Sequence, residues 1–219
     1  MIVHGDRRWD SDWQRPQHLL SRFARSRDVL YIDSPTFVEA QLHPALAHAE
    51  PVARVQHVVP YLPVAFRDSD VATQSVVRAL ILELIGRGGR LYDRFRHPVQ
   101  WFYTPAPAPT MMNSFGEVAV VYDYMALPTH DIVPSAELVS RTQFLLAHAD
   151  VVFDHGVAAS LNYSRAHNTI PVRDVKSPAD APTSWDNIVD GISVLMHRAI
   201  AKRARRKWHE QMHGIRTPI

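Results

Sequence analysis

The sequence begins MIVHGDRRWDSDWQRPQHLLSRFARSRDVLYID (residues 1–33), and this opening contains a complete strand–loop–helix–strand unit. Met1–His4 is a short apolar strand. The polar loop Gly5–Arg15 then leads to Pro16, a residue favoured in the first turn of a helix. Val29–Ile32, rich in β-branched and aromatic residues, is typical of a second strand. Between them, apolar side chains recur at helical spacing at Leu19, Leu20, Phe23 and Ala24. Such a unit is the building block of a parallel α/β sheet.

The alternation of strands and helices continues to about residue 175. Further strands are predicted at 52–59, 99–103, 118–122, 151–153 and 170–175. Helices are predicted at 69–85, 134–146 and 158–165. The 118–122 strand is apolar throughout, as expected of a central strand covered on both faces. The pattern therefore predicts one α/β domain over 1–176, Rossmann-like, with a mostly parallel sheet and helices on both faces.

The last part of the chain, 177–219, has a different character. SPADAPT at 177–183 is typical of a linker. Apolar residues from Ile188 to Ile200 then form a helical stripe, which predicts an amphipathic helix from Ser184 to about Arg203. An exposed apolar stripe of this size would promote association or aggregation, so we expect the helix to cross back and dock on the α/β core.

A basic run, KRARRK at Lys202–Lys207, ends this helix. We expect it to face water, together with Asp186 and Asp190. Two interpretations of the run stay open: a solvated, frayed helix end, or a contact with anionic lipid headgroups at a membrane surface. No aromatic stacking platform accompanies it, so nucleic acid is not an expected partner.

The composition narrows the class of protein. The 219 residues are 46% hydrophobic and 21% charged, which is ordinary for a globular protein. A net charge of +2 is too small to argue for a nucleic-acid partner, and the absence of cysteine excludes disulfides and thiolate chemistry. No apolar run approaches the length of a membrane span, and the polar N-terminus is not a signal peptide. These features predict a cytoplasmic protein, peripheral at the inner membrane face if the basic run binds lipid.

The thirteen histidines do not form a metal motif. The sequence has no H-E-x-x-H, and no histidine pair is joined to carboxylates at ligand spacing. GRGGR at 86–90 follows a helix rather than a strand, and it lacks the glycine order of a phosphate loop. We therefore predict no metal site and no cofactor site.

The loop after the first strand is the first candidate site, because ligands of open α/β sheets bind at the carboxyl ends of strands. Its candidate residues combine indoles, carboxylates, an amide and guanidinium groups: Arg8, Trp9, Asp10, Trp13, Gln14 and Arg15. Aromatic faces can cover the C–H side of a sugar ring, while charged groups bind its hydroxyls. The alternative is that both tryptophans are structural packing and the charges are solvated surface.

The second candidate site follows the 118–122 strand and the 99–103 strand. Asp123 comes directly after the first of these, where a carboxylate could act as a general base. Thr104 lies at the same predicted edge. The alternative for Asp123 is a carboxylate that caps a turn or the next helix.

RRWDSDWQRPQHLLSRFA at Arg7–Ala24 resembles the opening of a family of bacterial GT-B glycosyltransferases, which have an R-W-D…W-Q-R-P-Q-H-L-L element after the first strand. Four later stretches resemble family motifs in the same order: VVPYLP at 58–63, WFYTP at 101–105, VVYDYM at 120–125 and LLAHADVVF at 145–153. Over roughly residues 1–165, the resemblance implies the N-terminal, acceptor-side domain of a GT-B fold. It also implies that the loop residues line the acceptor cleft, with Asp123 as the candidate base.

The departures from the family are equally informative. Ala126 stands where the family has Asp, and His155-Gly156 where it tends to have Gly-Gly. IPVRDVKSP at 170–178 resembles a segment from late in the family's second domain, and SWDNIVDGISVLM at 184–196 resembles its final helix. The resemblance therefore implies that the donor-nucleotide domain is largely deleted, leaving a remnant near 170–178.

Three functional hypotheses follow from the resemblance. The first is a glycosyltransferase relative that transfers a sugar from a nucleotide-sugar donor to a cell-envelope glycan or lipid acceptor, truncated and inactive alone because a transferase must hold the diphosphate leaving group. The second is a non-catalytic sugar-binding protein or accessory subunit that partners a complete glycosyltransferase. The third is a degenerate gene product without selected activity.

Overall fold

The structure, a computed structural model, describes residues 1–40, 42–124, 135–154, 169–171 and 182–213. Its strands are β1 (Ile2–His4), β2 (Val29–Ile32), β3 (Thr36–Val38), β4 (Ala45–Val52), β5 (Val55–Pro63), β6 (Val99–Phe102), β7 (Ala119–Tyr124), β8 (Val151–Asp154) and β9 (Thr169–Pro171). Its helices are α1 (Arg15–Phe23), α2 (Asp70–Ile85), α3 (Ala108–Met111), α4 (Ala136–His148) and α5 (Pro182–His213). The predicted helix at 158–165, Met125, Ala126 and most of the segment 170–178 lie outside the described residues.

The strands form a single, mostly parallel sheet. The order β5–β2–β1–β6–β7–β8–β9 is parallel throughout, and β4 pairs antiparallel with β5. Val3 in β1 lies opposite Tyr31 of β2 on one side and Trp101 of β6 on the other. The predicted Rossmann-like α/β fold is therefore confirmed.

Successive residues of each strand point to opposite sides of the sheet, and helices cover both sides. Val3, Trp101 and Val121 belong to the apolar cluster that includes α1 and α5. Their chain neighbours Ile2 and Phe102 belong to the second cluster, which includes α2, α3 and α4. The central strands are thus buried on both faces, as their continuous apolar runs predict.

The edge of the sheet beyond β2 differs from the prediction. The strand expected at 52–59 is Val55–Pro63, and β3 and β4 were not predicted. Pro60 was expected to end the strand. On one side of β5, pairing with β2 ends at Val58 and pairing with β3 begins at Tyr61. Pro60 lies in the gap between the two, where a proline removes no hydrogen bond of the ladder on that side. β4 alternates between exposed and partly buried residues and contains Pro51, so its sequence carries little strand signal.

α5 docks on the sheet as expected, and it is longer than the predicted 184–203. Trp185, Ile192, Met196 and Ala199 are buried in the same cluster as Trp101. The helix packs against α1, β7 and β8. The predicted crossing helix therefore completes one face of the domain. Among the described residues, no helix is both long enough and apolar enough to cross a membrane.

The prediction that the whole run Lys202–Lys207 faces water is wrong at Arg203. Its guanidinium is buried and lies 2.8 Å from the Asp150 carboxylate and 3.6 Å from that of Glu117. The other four basic residues of the run are exposed, and so is Asp190. Asp186 is partly exposed and pairs with Arg22 and Arg25. Arg203 turns inward because it continues the helix face that carries Met196 and Ala199.

Candidate functional site

The candidate site lies at the carboxyl ends of β1, β6 and β7. β1 lies between β2 and β6, and the chain order reverses at this point of the sheet. The crevice outside such a switch point is where open α/β sheets bind ligands. The residues that follow β1 and β6, and those at the end of β7, are therefore placed to contact a ligand.

The structure brings Arg15 and Asp123 together at this edge. Arg15 is the first residue of α1, and its Nε donates to Oδ2 of Asp123 over 3.2 Å. Asp123 is fully buried, because β7 continues to Tyr124 and the residue lies inside the strand rather than after it. The Nη2 atom of Arg15 is also buried, and it has no hydrogen-bond partner. The pair therefore offers a guanidinium donor for a further acceptor.

Tyr103 and Asp6 join this pair, although they were not among the predicted site residues. The Tyr103 hydroxyl is buried without a hydrogen-bond partner, and burial raises the pKa of Tyr103 well above its usual value, with the Asp123 carboxylate adding to the effect. Burial likewise raises the pKa of Asp6, and the charge of Asp123 contributes a smaller part. Both residues lie just past β1 or β6, and that position is the sequence signal that could have identified them.

Trp9 has a structural environment. Its indole is buried in the core cluster and packs edge-on against Tyr31, with ring centroids 5.2 Å apart. Its backbone N–H donates to Oδ1 of Asp33 over 3.1 Å, and its carbonyl accepts from Nε2 of Gln17. Oδ2 of Asp33 lies 2.9 Å from Nε2 of His57, and both side chains are buried. These contacts hold the loop between β1 and α1 against the sheet and cover the Trp9 ring.

The other predicted loop residues are spread over different environments. Arg8 and Asp10 form an exposed ion pair with each other at 3.0 Å. Gln14 caps α1 through a reciprocal pair of hydrogen bonds with Gln17. Trp13 is 50% exposed and touches the ring of His18 edge-on. Of the two tryptophans, Trp13 is therefore the one with a ring face open to a ligand.

Thr104 lines a small pocket of about 60 Å³, also at the carboxyl ends of the strands. His4, Asp33 and Gln74 line the same pocket, and the Thr104 hydroxyl accepts a hydrogen bond from the Ala106 N–H. Nε2 of His4 is buried there without a partner, and burial lowers the pKa of His4 to about 3. The His4 ring stacks on Phe102, on the face of the sheet opposite Trp101. Thr104 thus lines a recess whose lining does not include Arg15 or Asp123.

No group of three or more His, Asp or Glu side chains is arranged to hold a metal ion within the described ranges. The polar groups of the site are carboxylates, a guanidinium and a phenol. Such groups bind hydroxyls through hydrogen bonds.

The fold is similar to that of a solved GT-B protein, "Trehalose-6-phosphate from E. coli bound with UDP-2-fluoro glucose". The match has a TM-score of 0.50 at 10% sequence identity, covering 78% of this chain and 47% of that chain. The chain thus spans about half the length of its structural neighbour. A likeness at this identity concerns the fold alone, and it supports a GT-B type of fold. No family model matches the sequence, and no curated protein matches it.

Proposed function

We propose that this chain is a glycosyltransferase-like protein whose Rossmann-like domain binds a sugar acceptor, either a glycan or a lipid-linked sugar. The observation that carries the proposal is the buried Arg15–Asp123 pair at the switch point. Two unsatisfied donors, Nη2 of Arg15 and the hydroxyl of Tyr103, lie in the same cluster. The fold similarity to a GT-B protein bound to a nucleotide-sugar analogue adds support.

The polar cluster suits the chemistry of a sugar. Sugar hydroxyls both donate and accept hydrogen bonds, so they can satisfy Arg15 and Tyr103 while donating to the carboxylates of Asp6 and Asp123. The exposed ring of Trp13 offers an apolar surface for the C–H face of a pyranose. In a transfer reaction, the acceptor oxygen bonds to the anomeric carbon as the bond to the nucleoside diphosphate breaks. Asp123 is the residue that we propose takes the acceptor proton.

A transferase also needs a site for the donor diphosphate. β8 ends at Asp154 and β9 begins at Thr169, so the sequence between them is too short for a domain of the usual 50–250 residues. This spacing favours a second candidate function, a non-catalytic sugar-binding protein or accessory subunit. In that case a complete glycosyltransferase would supply the donor site.

Calorimetric titration separates these functions. The wild-type chain would be titrated with methyl glycosides of common hexoses, and then with nucleoside diphosphates and nucleotide sugars. An accessory protein should bind a sugar and show no heat with the nucleotides, whereas a transferase should bind both and release nucleoside diphosphate. Arg15→Met should abolish the sugar heat, while Asp12→Asn, an exposed change in the same loop, should leave it intact. Absence of sugar binding by the folded wild type would refute both functions.

A further inference from the structure

The opposite edge of the sheet, at the amino ends of the strands, contains a second polar cavity. Its volume is about 300 Å³. Arg27 and Asp28 line it just before β2, Arg54 just before β5, and the segment 94–99 as it leads into β6. Because all of these positions precede their strands, the cavity is separated from the Arg15–Asp123 site by the length of the sheet.

The cavity wall is rich in positive charge. Four arginines line it: Arg27, Arg54, Arg94 and Arg96. Asp28 is the one carboxylate among the described residues of the lining, and Arg94 and Arg54 already donate to it, over 2.6 Å and 3.5 Å. Behind the lining, Glu50 lies 3.7 Å from Arg94, and the exposed Asp93 lies 3.3 Å from Arg96. Within the described ranges, the carboxylates near the cavity thus pair with Arg54, Arg94 and Arg96.

Arg27 is the cation without a counter-charge. It has no ion pair within the described part of the chain, and its buried Nε atom has no hydrogen-bond partner. Its guanidinium carbon lies 5.5 Å from the centre of the Phe23 ring, and partial burial lowers its pKa. A partly buried cation with an unsatisfied donor is costly unless an anion joins it.

The backbone around the cavity is held in an unusual conformation. Arg54 and His97, both in the lining, have φ values of 65° and 51°. These lie in the left-handed region, which non-glycine residues adopt at a cost. Arg54 adopts it in the two-residue turn that joins β4 to β5, where hairpin geometry requires a positive φ. Here the conformation accompanies an arginine and a histidine that line the same cavity.

A second cavity of about 490 Å³ adjoins the first and shares Phe95, Arg96 and His97 with it. Its remaining lining is largely apolar and includes Leu82, Tyr92 and Phe115. The second cavity thus places apolar side chains beside the cationic one.

We propose that this pair of cavities binds a small organic phosphate, with the phosphate group between Arg27 and Arg96 and the apolar part against Tyr92 and Phe115. Guanidinium groups bind phosphate oxygens through paired, charge-assisted hydrogen bonds. The phosphate supplies the anion that Arg27 lacks. Since the site lies at the opposite edge of the sheet, its ligand does not compete with a ligand of the Arg15–Asp123 site.

Calorimetric titration of the full chain at low salt tests the site, with inorganic phosphate and phenyl phosphate as probes. We expect saturable binding of both, and tighter binding of phenyl phosphate because its ring enters the second cavity. Arg27→Gln should weaken both by about tenfold or more. Arg78→Gln removes the same charge from an exposed position of α2 outside both linings and should leave both affinities unchanged.

Circular dichroism checks that Arg27→Gln folds. If it does not, Arg96→Gln, at a more exposed position, replaces it with the same expectation. No saturable binding by the wild type, or equal losses in Arg27→Gln and Arg78→Gln, would overturn the proposal. Equal affinity for the two probes would overturn the role of the apolar cavity. Sedimentation with phosphatidylserine vesicles forms the second arm, because binding to vesicles without binding to either soluble probe would assign the arginines to a lipid surface instead.

Discussion

Nη1 of Arg203 lies 2.8 Å from Oδ2 of Asp150, and this ion pair joins the C-terminal half of α5 to the residue that precedes β8. The same carboxylate oxygen accepts the backbone N–H of Val120 in β7. Nη2 of Arg203 donates to the side chain of Asn113 over 3.1 Å. One guanidinium thus ties the helix to the amino ends of two strands.

Replacing Arg203 by methionine should be strongly destabilising. The change removes the cation near Glu117 and the nearer of the two cations of Asp150, whose Oδ1 keeps only the exposed Arg206 at 3.7 Å. Breaking a buried pair in this way costs about 3–5 kcal/mol. Urea unfolding followed by circular dichroism measures the loss. Lys202→Met, at an exposed position on the same helix, should change the free energy of unfolding by less than about 0.5 kcal/mol. Equal stability of the two variants would contradict the importance of this contact.

Truncation of Met196 to alanine tests how α5 contributes to the core. Met196 is fully buried, and its removal should leave a cavity and lower the free energy of unfolding by about 2–5 kcal/mol. Val194 is two residues away on the same helix and half exposed, so Val194→Ala should cost less than about 0.5 kcal/mol. Chemical denaturation of the two variants beside the wild type gives both values. A small effect at Met196 would mean that the helix packs loosely.

His4 should make the stability depend on pH. Its pKa is lowered from 6.5 to about 3 by burial, so the folded protein keeps the ring neutral while the unfolded chain binds a proton below pH 6.5. The unfolded state therefore gains stability as the pH falls. The free energy of unfolding should therefore decrease by about 1.4 kcal/mol for each pH unit as the pH falls from about 6.5 to about 3.

The variant His4→Phe keeps the stacking on Phe102 and removes the titrating group. Unfolding in urea at about pH 7, 6 and 5 measures the stability of both proteins. As the pH falls, the free energy of unfolding of the variant should rise relative to that of the wild type. His197→Gln, which changes an exposed histidine, is the control for removing a histidine from the surface. A constant difference between His4→Phe and the wild type would show that His4 is protonated in the folded state.

Asp33 should control the order of the loop between β1 and α1. Asp33→Ala removes the acceptor of the Trp9 N–H and the partner of His57, so we expect a loss of about 1–3 kcal/mol and faster exchange of the Trp9 amide proton. Asp33→Asn retains an oxygen for Trp9 and should preserve its slow exchange. Hydrogen exchange measured by NMR reports on that proton directly, and unchanged exchange in Asp33→Ala would contradict the anchoring.

The α/β architecture was predictable because its central strands are apolar without interruption. The composition of the sequence predicts the strands Val29–Ile32 and Val99–Phe102, and the helical period of the apolar stripe predicts α5. β4 escaped prediction because an edge strand in contact with solvent needs no apolar run. Arg203 was misassigned because the basic run was judged by its charge, whereas its position relative to Met196 and Ala199 places it on the buried face.

The candidate site was less accessible to sequence reasoning. That Asp123 and the loop before α1 belong to one edge follows from topology. The ion pair between Arg15 and Asp123 depends on the register of β7 and on how α1 sits on the sheet, neither of which leaves a local pattern. For Trp9, the residue type suggested a sugar contact that the burial of the side chain does not support. Its indole is covered by Tyr31 and the core.

The docking of α5 has a consequence for folding during synthesis on the ribosome. The apolar face formed by Val3, Trp101 and Phe153 is completed by residues as late as Ala199. During synthesis, α1 and the strands emerge first, and the part of this face that α5 covers stays exposed until almost all of the described chain has been made. Such exposed surface is prone to aggregation. The nascent chain therefore completes this face of the domain only after α5 has left the exit tunnel.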